Sequence, residues 1–339
     1  MASIKEIAEL AGVSRGTVDR VLNHRGSVSP EKEKKVLEIA ELLNYQPNKA
    51  GVALAAQKKK YIIGIILFGE SNPFFNYVLE GLHNKLEELS LYSIETIETH
   101  IAFDEQCQLN TISQMVEAGI QGLIISPYNS VSVQNRIDEL WEQNIPCVTI
   151  NSDMPGSKRI AYVGSDYNKG GQIAAGLLRM MTTDSVHVGI VSGSKNVLCH
   201  EERVLGFCNY LEKNASRIQI DAMEYNDDDD YKSFEVVTKM LKEHPSLDAV
   251  YFTAAGVYGG CRAVKNHPFD KPPKIISFDL PDTTRELLMD NTINATICQD
   301  PVKQGELSLA ILSEYLLTGA MPASSLNYME PKITIRECL

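Results

Sequence analysis

Apolar residues change their period twice along the chain. Over the first 43 residues they recur at helical spacing: Ile4, Ile7, Ala8 and Ala11 form one stripe, Val18, Val21 and Leu22 a second, and Val36, Ile39, Ala40 and Leu43 a third. Start and stop signals separate the stripes. Ser3 and Glu6 have the S-x-x-E spacing of a capping box, Gly12 ends the first helix, Ser14 opens the second, and Ser29 with Pro30 opens the third. Two short helices joined by a turn at Gly12 have helix-turn-helix spacing. Pro47 then breaks the pattern. The alanine-rich segment that follows ends in Lys58, Lys59 and Lys60 and reads as a linker of about two helical turns, too short to be stably helical alone.

From Tyr61 the pattern becomes short apolar runs alternating with amphipathic segments of helical length. YIIGIILF, GLIISP, PCVTIN, HVGIVSG, AVYFTAA, KIISFDL and ATICQ are the predicted strands. Such alternation predicts parallel sheets covered by helices on both faces, and its extent predicts two doubly wound lobes. Open parallel sheets bind ligands beyond the carboxyl ends of their strands. Those ends carry Asn72, Phe74 and Phe75, then Tyr128 and Asn129, Asn151 and Asp153, Ser192 and Ser194, Asp228, Asp279 and Gln299. Amides and carboxylates exchange paired hydrogen bonds with hydroxyls, and aromatic faces cover C–H patches, so the set suits a hydroxyl-rich ligand.

Charge separates the two regions. The chain of 339 residues has a formal net charge of −12. Residues 1–60 nevertheless hold eleven Lys and Arg against seven Asp and Glu, leaving a net −16 on the remainder. A basic head on an acidic body predicts that only the head meets a polyanion. No apolar run is long enough to span a membrane, and MASIKEIAEL carries charge where a secretory signal needs apolar residues, so a cytoplasmic location is expected. The seven cysteines contain no CxxC pair and read as reduced thiols. Asp227 to Asp230 lack the ligand spacing of a calcium loop, and SGSK at Ser192 to Lys195 lacks a phosphate-loop spacing. Cys199, His200 and Glu201 point in different directions on a helix, which leaves His200 free to touch a ligand but builds no catalytic set. No metal, no cofactor and no enzymatic activity are expected.

At this point the chain resembles the lactose-repressor (LacI) family of transcriptional regulators. SIKEIAELAGVSRGTVDRVLN, VSPEKEKKVLEIAELLNYQPN and the Ala-Leu-Ala linker carry the resemblance in the head. SNPFF, LIISP, IPCVTINSD, RVLGF, ISFDLPDT and INATICQDP resemble ribose-type periplasmic binding proteins. The resemblance implies an α/β protein with a small all-α helix-turn-helix head and a two-lobed sensor of doubly wound parallel sheets. The head is 1–45, the hinge and linker 46–60, and the sensor 61–339. Lobe 1 is expected at about 61–164 and 300–326, and lobe 2 at about 165–299 and 327–339, with crossings near Ser165, Asp300 and Asn327.

The resemblance also assigns roles. The helix opening at Ser14 enters the major groove with Arg15, Gly16 and Thr17 toward base edges and Arg20 one turn on. Gly16 departs from the bulkier polar residue common in the family, which shifts readout to Arg15 and Arg20. Asn23, His24, Arg25, Tyr45 and Asn48 hold phosphates, and Leu54 wedges into the minor groove. Asn72, Phe74, Phe75, Asn151, Asp153, Arg203, Asp228, Asp279 and Gln299 line the effector pocket. Three aspartates against one arginine favour a neutral or amino sugar or polyol. The expected protein is a repressor acting on double-stranded operator DNA as a homodimer or a larger assembly.

Overall fold

The computed structural model describes residues 3–22, 28–43, 60–69, 72–215 and 217–339. Asn23, His24, Arg25, Tyr45, Asn48, Leu54 and all of the expected hinge except Lys60 lie outside these residues.

The head contains α1 (Ile4–Ala11), α2 (Arg15–Leu22) and α3 (Pro30–Leu42). The Ser3 hydroxyl accepts from the Glu6 amide while the Glu6 carboxylate accepts from the Ser3 amide at 2.8 Å, which closes the capping box. Gly12 turns out of α1 in the left-handed region at φ 69°, where a Cβ would be strained. Ile7, Ala8, Ala11, Val18, Val21, Val36 and Ala40 bury together, so all three helical stripes meet in one small core.

Lobe 1 begins with β1 (Tyr61–Phe68), α4 (Pro73–Glu88), β2 (Ile94–Ile101), α5 (Glu105–Glu117), β3 (Gly122–Ile125), α6 (Val131–Glu142), β4 (Cys147–Ile150) and β5 (Ala161–Ser165). The chain crosses into lobe 2 for α7 (Tyr167–Met181), β6 (Val186–Ser192), α8 (Leu198–Asn214), β7 (Ile218–Tyr225), α9 (Asp230–Glu243), β8 (Ala249–Phe252), α10 (Val257–Asn266), β9 (Lys274–Phe278), α11 (Asp282–Met289) and β10 (Ala295–Cys298). It returns with α12 (Pro301–Thr318) and β11 (Leu326–Met329), then ends in lobe 2 with β12 (Lys332–Thr334). The sheet orders are β11-β5-β4-β3-β1-β2 and β12-β10-β9-β8-β6-β7. Among the described residues, β12 alone runs antiparallel to its neighbour and every other pairing is parallel.

The last crossing differs from the expectation near Asn327. Asn327 sits inside β11, opposite Val163 of β5, and its side-chain amide donates to the Tyr162 carbonyl at 3.1 Å. Pairing with lobe 1 therefore continues through Met329, and the chain crosses at Glu330 and Pro331, where proline lacks the amide needed to extend the ladder.

Five strands were not visible as apolar runs. β2 (IETIETHI) and β7 (IQIDAMEY) flank their sheets and are mostly half-buried, with Glu95 and Glu98 exposed on β2 and Gln219 and Ile220 on β7. β5 is a buried run of five residues containing glycine, and β11 and β12 are short and largely exposed. Edge position removes the apolar requirement on one side, so sequence periodicity weakens there.

Candidate functional site

Both sheets reverse their strand order, between β1 and β3 in lobe 1 and between β6 and β8 in lobe 2. Crevices open at such points because the following helices leave toward opposite faces. Here the two crevices face each other across one cavity of about 160 Å³. That is smaller than the roughly 300–1,000 Å³ of pockets for drug-sized ligands and fits an occupant of monosaccharide size.

The lobe 1 wall is mostly aromatic, with Phe68, Phe74, Phe75 and Phe103 beside Asn72, Ser126 and Asn151. Phe74 and Phe75 are both buried and meet edge to face at 5.3 Å between ring centroids. Asn72 caps α4, its side-chain oxygen accepting from the Phe74 amide at 3.0 Å. Lobe 2 supplies the charge through Arg203, Asp228, Asp230 and Asp279, together with His200, Gln299 and the ring of Phe278.

Asn151 and Asp279 occupy matching places in the two lobes. Each follows the fourth strand of its lobe in chain order, β4 or β9, and each takes a left-handed backbone, at φ 61° and 63°. Each amide donates at 3.0 Å to the adjacent strand, Asn151 to the Val163 carbonyl and Asp279 to the Ile297 carbonyl. Asn and Asp are the side chains that best tolerate this conformation, which turns the chain sharply at the strand end.

Arg203 projects from α8 and is only 3% exposed. Its Nη1 donates to the Thr253 carbonyl at 2.5 Å. The guanidinium carbon lies 3.8 Å from the Phe278 ring centroid and 4.8 Å from that of Tyr167. Nε and Nη2 are buried without a hydrogen-bond partner. Burying a charged donor unpaired is costly, so these two nitrogens are acceptor-seeking groups at the cavity.

Asp279 accepts from Gln299 Nε2 through both carboxylate oxygens, at 2.8 and 3.0 Å. Burial pushes its carboxyl up to about 6; Arg203 and the Gln299 bond oppose that shift, and the charge of Asp228 adds to it. The Gln299 Oε1 atom is buried without a partner.

Eight of the nine residues expected in the pocket line this cavity; Asp153 does not. Arg159 grips the Asp153 carboxylate from both sides, Nε to Oδ1 at 2.5 Å and Nη2 to Oδ2 at 2.6 Å. Thr149 and the Met154 amide also donate to Oδ1, at 2.8 and 2.7 Å. A carboxylate so fully engaged fixes the loop after β4 and has little acceptor capacity left for a ligand. Phe103 was missed because it follows β2, an edge strand not recognised in the sequence, and Val257 and Tyr258 because they open α10, beyond the end of β8.

The lobes touch around the cavity. The Asn129 amide donates to the Asn196 carbonyl at 3.1 Å. The Tyr167 hydroxyl, from lobe 2, donates to the Asn151 carbonyl of lobe 1, and the Tyr162 hydroxyl lies 2.9 Å from the same oxygen. Phe103 packs on a cluster of Tyr162, Tyr167, Val197 and Cys199 beside the cavity. No cluster able to hold a metal ion occurs among the described residues.

In the head, Val18 and Val21 turn inward while Ser14, Arg15, Gly16 and Arg20 are exposed and Thr17 is half-buried. The Ser14 hydroxyl accepts from the Thr17 amide at 3.1 Å and so caps α2. Arg20 Nε donates to the Gly16 carbonyl at 3.0 Å, which lays the guanidinium along the exposed face of the helix. A Cβ at Gly16 would meet nothing closer than the Ser14 hydroxyl at 3.8 Å, so internal packing does not require glycine there.

Comparison with known proteins matches two separate stretches of the chain. Residues 3–48 match bacterial regulatory proteins of the lacI family, and residues 63–320 match the periplasmic binding protein domain. Catabolite control protein A of Priestia megaterium is 27% identical over 93% of this chain and 92% of its own length. The ribose import binding protein of Bacillus subtilis is 23% identical over 80% of this chain and 86% of its own. Among solved structures, GanP, a glucose-galactose binding protein from Geobacillus stearothermophilus, superposes with a TM-score of 0.76 at 26% identity, covering 83% of this chain and 99% of that one.

Proposed function

The chain belongs to the periplasmic binding protein domain family over most of its length and carries the head of the lacI-family regulators, and on that premise we propose that it is a cytoplasmic, homodimeric repressor whose DNA affinity is set by a neutral or amino polyol. Arg203 carries this reading. Its two unpartnered buried nitrogens belong to a side chain that lines a cavity between the two lobes, and a ligand rich in acceptor oxygens would satisfy them.

In the occupied cleft, Arg203 donates to ring or hydroxyl oxygens, Asp279 accepts from hydroxyls, and Asn72 and Asn151 do both. The phenylalanines of lobe 1 cover the C–H face of the ring. On DNA, Arg15, Thr17 and Arg20 reach base edges and Ser14 holds the start of α2. A pseudo-palindromic operator mirrors the two-fold symmetry of the dimer. The ligand acts only through its different affinity for the two lobe arrangements, and a coupling of about 1–3 kcal/mol changes DNA affinity about 5- to 150-fold.

Fluorescence anisotropy with DNA from the protein's own promoter region tests this. Binding is expected to weaken at least about 100-fold between about 50 and 200 mM salt, through release of counterions from phosphates. One of a panel of pentoses, hexoses and inositols should shift the binding curve, and Arg203→Ala should abolish that shift without loss of DNA binding. The match of the body to an import binding protein favours a second reading, a transport receptor. Salt-independent DNA binding, or none, would favour that reading over gene control.

A further inference from the structure

The lobe 2 wall holds a pair of groups that the pocket reading leaves without a task. His200, on α8, is 6% exposed and lines the cavity with Asp228, which follows β7. The Ser194 amide donates to His200 Nδ1 at 3.1 Å. Nδ1 is thus the acceptor of the ring, and in the neutral imidazole the proton resides on Nε2. Burial lowers the pKa of His200, which keeps the ring neutral. Nε2 lies 3.8 Å from Asp228 Oδ1, beyond hydrogen-bond length, and makes no hydrogen bond among the described residues.

Asp228 is fixed with equal care. Its Oδ1 accepts from the Ala255 amide at 2.9 Å, and its own amide donates to Asn226 Oδ1 at 3.0 Å. The backbone of Asp228 is left-handed at φ 60°, a turn that Asp tolerates well. Gly193 packs under both side chains: a Cβ there would stand 2.4 Å from His200 Cε1 and 2.8 Å from Asp228 Oδ1. The pair is therefore seated by three separate backbone segments before any ligand arrives.

We propose that His200 and Asp228 form a donor–acceptor pair that reads a single hydroxyl of the effector and makes the ligand an uncharged polyol at that corner. The inference rests on the reading of the cleft as a polyol site. An oxygen about 2.8 Å from each partner spans a 3.8 Å gap comfortably. Such an oxygen accepts from Nε2–H and donates its own proton to the carboxylate, and a hydroxyl is the ligand group that does both. An ammonium has no lone pair for Nε2–H, an ether or carbonyl has no proton for Asp228, and a deoxy position has neither. Sites built to hydrogen-bond a hydroxyl reject analogues lacking it more sharply than apolar pockets reject an added methylene, because their own buried groups are left unpaired.

The test is calorimetry on full-length protein. D-ribose, D-xylose, D-glucose, D-galactose and myo-inositol are screened first; the binder is then compared with each of its monodeoxy and amino-deoxy analogues. Two variants accompany the wild type. His200→Asn keeps a side-chain acceptor for the Ser194 amide but deletes Nε2–H, and Asp228→Asn keeps an oxygen for the Ala255 amide but deletes the carboxylate. Thermal melts verify that both fold; Asp228→Asn alone decides if His200→Asn does not, and the deoxy and amino comparisons in wild type decide if neither does. The expected result is one position whose deoxy analogue binds wild type about 10- to 100-fold more weakly, with that penalty shrinking below about threefold in each variant. The amino analogue at that position should also bind wild type more weakly than the parent. Tighter binding of the amine, or absence of any position showing the penalty, overturns the assignment while leaving the polyol cleft intact. If none of the five compounds binds, the polyol reading fails as well.

Discussion

Burial governs the chemistry of the single residue Asp279. Its carboxyl holds a proton up to about pH 6 in the folded protein, against an ordinary value of 3.8 in the open chain. The folded state then binds more protons than the unfolded state between these values, so this group makes stability fall as pH rises through that window. The slope is about 1.4 kcal/mol per pH unit, flattening above pH 6. Asp279→Asn should remove this component: urea denaturation between pH 4.5 and 7.5 is expected to show wild type losing ground against the variant as pH rises to 6. Parallel pH profiles for the two proteins would show that Asp279 ionises as freely as in water. On the proposed reading, hydroxyl donors of the ligand offset this desolvation of the carboxylate.

Among the elements, the contact between α7 and α8 sets where Arg203 stands. The helices cross at Gly171 and Gly206, and a Cβ on either would lie about 2 Å from backbone of the other helix: 2.0 Å from the Arg203 carbonyl or 1.9 Å from that of Asn168. Backbone cannot swing aside as a flexible side chain does, so even a methyl must push the helices apart. Gly171→Ala is expected to destabilise lobe 2 by about 1–3 kcal/mol and to weaken effector binding, because the displaced carbonyl belongs to the arginine of the cleft. A thermal melt and a calorimetric titration check it; lost stability with unchanged effector affinity would disconnect this crossing from the site. Helices and strands with a buried face were legible in the sequence as periodicity, as α1 and β1 show. Glycine contacts such as this one were not, because an approach between distant segments leaves no local pattern.

At the scale of the whole molecule, three crossings join two lobes around one cavity, after Ser165, near Asp300 and at Glu330 and Pro331. Side chains from both lobes meet there, Tyr167 of α7 with the carbonyl of Asn151 and Phe103 with the cluster that includes Cys199. On the proposed reading, a ligand held by Arg203 on one side and Asn72 on the other favours the arrangement in which both lobes close on it. Linkage makes the coupling to DNA reciprocal. If a saturating effector changes operator affinity by some factor, saturating operator must change effector affinity by the same factor. Calorimetric titration of effector into the free protein and into the protein–DNA complex measures this, and unequal factors would exclude simple coupling between the two sites.

The covalent sequence determined the helices and strands with a buried apolar face, the division between a basic head and an acidic body, and the polar residues at strand ends that line the cavity, because periodicity, capping residues and strand ends are local properties. Pairing and burial were decided only in three dimensions. Asp153 looked like a ligand-binding aspartate until Arg159 closed on it. Asn327 looked like a crossing until β11 joined β5. His200 and Asp228 became a pair because the segments after β6 and β7 converge over Gly193. Each of these outcomes depends on which partner reaches a side chain first, and partners distant along the chain are chosen by the packing of the sheets rather than by the residues on either side.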